Sequence, residues 1–136
     1  MLELQSKTLR AVFNPFGARL VSLFVGETDV VMGAAEKSDL EAGEIYAGAV
    51  CGRIAGRITN ARIALDGKTY ALTPNMDGHQ LHGGPDNFAA RDWQAEPAKN
   101  SIRFTIKYDH PSMLYQPGQH LSGERQQAAR ADPGQP

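Results

Sequence analysis

The sequence predicts an all-β fold built from antiparallel sheet. Three observations carry this. Residues 101–108, SIRFTIKY, alternate apolar and polar positions with a period of two. Asp66-Gly67 divides two short β-forming runs, ARIAL and KTYAL, and this dipeptide accepts the positive φ angles that a tight hairpin turn requires. Fourteen glycines and eight prolines punctuate the 136 residues, too many turns for long helices. The length predicts one domain. Apolar residues at 41% and charged residues at 21% are ordinary for a soluble globular chain. A net charge of −1 gives no field that would gather nucleic acid or an anionic membrane surface, so neither is expected as a partner.

The elements follow in order. NPFG (14–17) is a turn, and RLVSLFV (19–25) after it is apolar on both faces, which predicts a largely buried strand. TDVVMG (28–33) is a second, shorter strand candidate, and AAEKSDLEAGE (34–44) reads as an exposed loop or a single helical turn. Pairing outward from Asp66-Gly67 sets Leu65 against Lys68, Ile63 against Tyr70 and Ala61 against Leu72 on a mainly apolar face. Arg62, Ala64, Thr69 and Ala71 fall on the wetter face. Residues 73–97 form a long irregular stretch, and long loops in compact domains are commonly functional. In the strand 101–108, Ile102, Phe104, Ile106 and Tyr108 share the inward side. After Asp109 the chain becomes rich in Pro, Gln and Arg without periodicity, which predicts a disordered tail over 110–136.

The lone Cys51 has no partner for an internal disulfide and reads as a small buried hydrophobe. The first residues, MLELQSKTLR, do not have the pattern of a signal peptide, and no run is long and apolar enough to cross a membrane. The cytoplasm is the expected location.

Two stretches could carry chemistry. In QLHGG (80–84), His82 stands before two glycines that let backbone and ligand approach closely. Histidine donates or accepts hydrogen bonds near neutral pH. In GRIAGRI (52–58), Arg53 and Arg57 lie among small and apolar residues, where a guanidinium needs either a carboxylate or a polar ligand. His79 and His82 lack a convincing third and fourth metal ligand, so no metal site is expected. GRIAGRI lacks the Lys-Ser/Thr end of a phosphate loop.

Taken together, GRIAGRI, LDGKTYAL and HQLHGGPDNFAARDW, with NPFGARLVSLFV before them, resemble the ordered motifs of the aldose 1-epimerase (galactose mutarotase) family. The resemblance covers about residues 10–108. It implies an antiparallel β-sandwich of the galactose-mutarotase type that binds a small-molecule hexose in a cleft. It also implies interconversion of α and β anomers by acid/base ring opening. No cofactor is implied, because only protons move. His82 matches the family's L-H-G-G histidine, which implies that it contacts and positions the sugar as a catalytic and substrate-binding residue. Arg57 matches the arginine of N-R-I, which hydrogen-bonds sugar hydroxyls, while Gly56 replaces that motif's asparagine. Arg53 matches the preceding G-R arginine, expected to be structural.

The family's second histidine and its glutamate base lie in motifs that this sequence does not contain. His110, His120 and Glu124 have unrelated contexts. Residues 1–109 are therefore expected to form the N-terminal part of the sandwich, weakly active or inactive by itself. The alternatives are a non-catalytic carbohydrate-binding module and a non-functional fragment. In the binding module Phe88 or Trp93 would be a stacking surface, although core packing is the expected role of both rings. Exposed strand edges would allow self-association.

Overall fold

The computed structural model describes residues 1–33, 38, 46–109 and 122–130, with 108–109 and 122–130 described as backbone. It is an all-β architecture. The first sheet is an antiparallel meander of β1 (Leu2–Gln5), β2 (Leu9–Asn14), β3 (Arg19–Val25) and β4 (Thr28–Asp29). Ser6 closes its first turn: its hydroxyl accepts the Leu9 N–H at 3.1 Å while its own N–H donates to the Leu9 carbonyl at 2.8 Å. Between β2 and β3 the register moves from Val12↔Ser22 to Phe13↔Leu20, leaving Val21 as the extra residue of a bulge. The NPFG turn is held by the Asn14 side chain, whose Oδ1 accepts the Phe16 N–H at 3.0 Å.

The second sheet has the order β11-β10-β9, made of β9 (Gln94–Ala98), β10 (Ser101–Asp109) and β11 (Ser122–Arg130). Its central strand is the one with the cleanest alternation. Ile102, Phe104 and Ile106 are buried, and Arg103 and Lys107 are exposed on the other side. These three side chains pack with Leu4, Ala18, Phe88 and Trp93, against the partly buried Leu2 and Phe13 of the first sheet. The rings of Phe13 and Phe104 meet at 5.8 Å across the interface. Full burial of each large apolar side chain contributes roughly 1.5–3 kcal/mol. This sheet-on-sheet contact, the interior of a sandwich, is therefore the main source of cohesion.

Between the sheets in sequence lie two small ladders. β6 (Arg62–Leu65) and β7 (Lys68–Ala71) form the hairpin in the register read from the sequence, with Leu65↔Lys68 and Ile63↔Tyr70. Asp66 and Gly67 adopt φ of 50° and 73°, as the turn requires. β5 (Arg57–Ile58) pairs with β8 (Gln80–Leu81), and this ladder positions the site.

Several expectations need adjustment. The 28–33 candidate is a strand at Thr28–Asp29 alone; the Val30 N–H still donates to the Leu23 carbonyl at 2.9 Å, and the Val30 and Met32 side chains are exposed. Strand 19–25 is only partly buried, with Val25 exposed. The apolar hairpin face is buried at Ala61 and Leu72, half-buried at Ile63 and Tyr70 and exposed only towards the turn, at Leu65. The long stretch 73–97 is ordered by β8, a 3₁₀ turn at Phe88–Ala90 and the start of β9. Within 110–136, residues 122–130 pair along β10 from Ser101↔Arg130 to Asp109↔Ser122, which needs main-chain groups rather than side-chain alternation. The remainder of that stretch, and most of 34–44, lie outside the described residues.

Candidate functional site

The site is built where the QLHGG turn passes beneath GRIAGRI. Three successive residues, His82, Gly83 and Gly84, adopt left-handed φ angles of 51°, 96° and 91°. The Gly84 N–H closes the turn on the Leu81 carbonyl at 3.0 Å. Gly83 has no alternative here: an added Cβ would stand 2.5 Å from the Gly52 carbonyl oxygen. Gly52 in turn lies on the Phe88 ring, where a Cβ would come within 2.4 Å. Glycines on both loops thus allow the two backbones to touch.

Arg57 pairs with Leu81 in the β5–β8 ladder, so Arg57 and His82 stand at diagonal positions on neighbouring segments. His82 is half-buried and its ring is fixed from two sides. Its Nδ1 accepts the Gly56 N–H at 3.0 Å. An Nδ1 that accepts carries no proton, so the neutral ring carries its proton on Nε2, as a donor. On the second side the Tyr46 ring lies 4.6 Å away, tilted by 57°. Arg57 is exposed, and its Nη2 reaches the Met76 thioether at 3.3 Å. Thioether sulfur is a weak acceptor, which leaves the guanidinium able to exchange it for a better one.

Two side-chain amides hold the frame. Asn75 Oδ1 accepts the Leu81 N–H at 2.7 Å, and its Nδ2 donates to the Leu81 carbonyl at 3.0 Å, as a strand partner would. Buried Asn87 donates to the Gly84 carbonyl at 2.7 Å and caps the 3₁₀ turn by accepting the Ala89 N–H at 2.9 Å. Both amides also reach the Tyr46 hydroxyl, at 3.5 Å each. Arg19, only 2% exposed, completes the scaffold by donating to the Ala47 carbonyl at 3.1 Å and the Ala89 carbonyl at 3.3 Å. Burial depresses its pKa below the usual arginine value.

Sequence reasoning singled out His82 and Arg57. The β5–β8 ladder sets their backbones at neighbouring positions, while their side chains go to different partners, Gly56 and Tyr46 for His82 and Met76 for Arg57. Sequence reasoning missed Tyr46, Asn87 and Arg19, and Asn75 entered only as a motif position with no role. For Arg19 a signal existed, a charged residue at the head of an otherwise apolar strand. Tyr46 carried none, because its partners are 29, 36 and 41 residues away. His79 and His82 go to separate backbone groups, His79 Nδ1 accepting the Asn60 N–H at 2.9 Å. Arg53 is half-buried in its loop. Phe88 and Trp93 are core, as their ordinary reading has it, and at 5% and 3% exposure neither offers a stacking surface. Their rings meet edge to face at 5.8 Å, and Trp93 Nε1 donates to the Phe88 carbonyl at 3.0 Å. Cys51 is half-buried rather than fully buried, and burial raises its thiol pKa, with Arg19 opposing.

Residues 1–120 match the family model described as aldose 1-epimerase. The galactose mutarotase of Sus scrofa is 36% identical over 108 residues, covering 76% of this chain and 32% of that protein. The aldose 1-epimerase of Escherichia coli K12 is 37% identical over 84 residues, covering 58% of this chain and 24% of that one. Among solved structures, the GalM/aldose epimerase homologue from C. elegans superposes with a TM-score of 0.75 at 31% identity, covering 93% of this chain and 39% of that one. The chain thus spans about a third of the length of the curated relatives it matches.

Proposed function

The chain belongs to the aldose 1-epimerase family, and on that premise we propose that it serves the interconversion of α and β anomers of a hexose such as glucose or galactose. These residues supply the sugar-holding side of the reaction. The observation that carries this reading is the fixed tautomer of His82: with Nδ1 engaged by Gly56, Nε2–H is a donor suited to a sugar oxygen. Arg57, on the neighbouring strand, offers a fork of N–H groups to sugar hydroxyls, and its Nη2 meets a weak acceptor, the Met76 thioether.

Ring opening needs one group to take the C1 hydroxyl proton and another to protonate the ring oxygen. His82 and Arg57 position the hexose, and neither is placed as the base: a guanidinium does not deprotonate in proteins, and the contacts of His82 include no carboxylate among the described residues. The chain by itself is accordingly weakly active or inactive. Polarimetry of freshly dissolved α-D-galactose tests this. The expected rate with purified chain stays close to that of buffer. A large acceleration that His82→Ala abolishes would contradict it and put the full acid/base set within this chain.

A cytoplasmic setting accords with the single cysteine, which leaves no internal disulfide to form. Self-association is supported by the exposed Val25, Val30 and Met32 beside the short strand β4. A single monomer peak in size-exclusion chromatography would remove it.

A further inference from the structure

We infer that Tyr46 is a positioning residue for His82: its ring, anchored at the hydroxyl by Asn75 and Asn87, keeps the imidazole on the Gly56 N–H and thereby keeps the proton on Nε2. The functional meaning rests on the hexose reading above, but the geometry stands apart from it.

One hydrogen bond to Nδ1 does not fix an imidazole, because rotation about the Cβ–Cγ bond breaks it and places a carbon opposite the Gly56 N–H. A second surface must block that rotation, and the Tyr46 ring lies 4.6 Å from the His82 ring. Tyr46 can block it only if it is itself held. Its hydroxyl oxygen receives N–H groups from both Asn75 and Asn87 at 3.5 Å each, long for hydrogen bonds but two in number. Each amide is anchored independently by shorter bonds. Asn75 clasps both peptide groups of Leu81, the residue before His82, and Asn87 holds the Gly84 carbonyl two residues after it. The clamp therefore spans His82 on both sides. The residue after Tyr46 is pinned as well, through the Ala47 carbonyl on Arg19. Tyr46 touches no reacting atom in this scheme and acts through the histidine.

The test uses the purified full chain without sugar, and reads the His82 ring-nitrogen NMR signals and the hydrogen exchange of the Gly56 amide. Tyr46→Leu keeps bulk but removes ring and hydroxyl. The expected result is Gly56 exchange accelerated about tenfold and His82 nitrogens moved toward those of an imidazole free in water, with the β10 amides of Ile102–Ile106 still protected. Tyr46→Phe keeps the ring and loses only the amide anchors, so a smaller acceleration, about threefold, is expected. Unchanged Gly56 exchange and His82 signals in Tyr46→Leu would overturn the inference. So would loss of β10 protection, which would make Tyr46 a general support of the fold. No change in Tyr46→Phe would overturn the anchoring by the two amides. Separately, a wild-type chain that binds no D-galactose would sink the hexose reading and leave this result intact.

Discussion

Gly56 and His82 exchange two hydrogen bonds: the Gly56 N–H donates to His82 Nδ1 at 3.0 Å, and the His82 N–H donates to the Gly56 carbonyl at 3.0 Å. The pair joins the two loops that the sequence marks as candidates for chemistry. It also sets the tautomer of the neutral histidine, so the same contact ties the two loops and orients the ring.

Substitutions at the loop glycines should separate strain from collision. Gly56 has φ of +99° and open space where a Cβ would go. Gly56→Ala should therefore cost the conformational penalty alone, about 1–2 kcal/mol. Gly83 has φ of +96° and the Gly52 carbonyl in the way. Gly83→Ala adds overpacking to strain and should cost about 3 kcal/mol or more. Urea unfolding of the two variants checks the order; equal midpoints would show that the two loops do not touch as described.

Stability and ligand binding should part company between two other residues. Phe104 is 1% exposed at the centre of the core, and Phe104→Ala should cost about 3–5 kcal/mol. Arg57 is exposed, and Arg57→Ala should change stability by less than about 0.5 kcal/mol while weakening hexose binding. Thermal melts beside sugar titrations test this. A strongly destabilised Arg57→Ala would mean that the arginine supports the fold instead.

The acid limb of stability should depend on Asp29. Its pKa is depressed, first by the Ser22 hydroxyl and then by the backbone N–H groups of Val31 and Leu23, at 3.1 and 3.0 Å. A carboxyl with a lowered folded pKa stabilises the fold above its unfolded value and loses that contribution as pH falls through the folded one. The loss therefore lies below the ordinary carboxylate value of about 3.8. Denaturation curves taken below pH 4 should show a shallower acid loss in Asp29→Asn than in the parent chain; parallel curves would remove Asp29 as the cause.

What was legible in the sequence was what short-range chemistry specifies. The register at Asp66-Gly67 follows from turn conformation, and the burial of Ile102, Phe104 and Ile106 follows from a period of two. His82 and Arg57 were legible as motif residues, and the β5–β8 ladder that joins them is two residues long on each side. Such a ladder leaves no periodicity to read. The supports of the site were hidden for a related reason. Asn75, Asn87 and Arg19 act by matching peptide groups of distant loops, and a polar side chain that will be satisfied by backbone looks the same in sequence as one that faces water. Phe88 and Trp93 were read more readily, since large aromatic residues in an ordered loop are more often core than a sugar platform, and burial bears that out.

The central claim is that His82 and Arg57 together hold a hexose. Titration of the ¹⁵N-labelled chain with D-galactose tests it most directly, following the amide signals of Gly56, Arg57 and His82. These signals should shift in a saturable way, and His82→Ala and Arg57→Ala should each weaken binding about tenfold, some 1.4 kcal/mol. Signals that stay in place, or an affinity that neither substitution changes, would contradict the account.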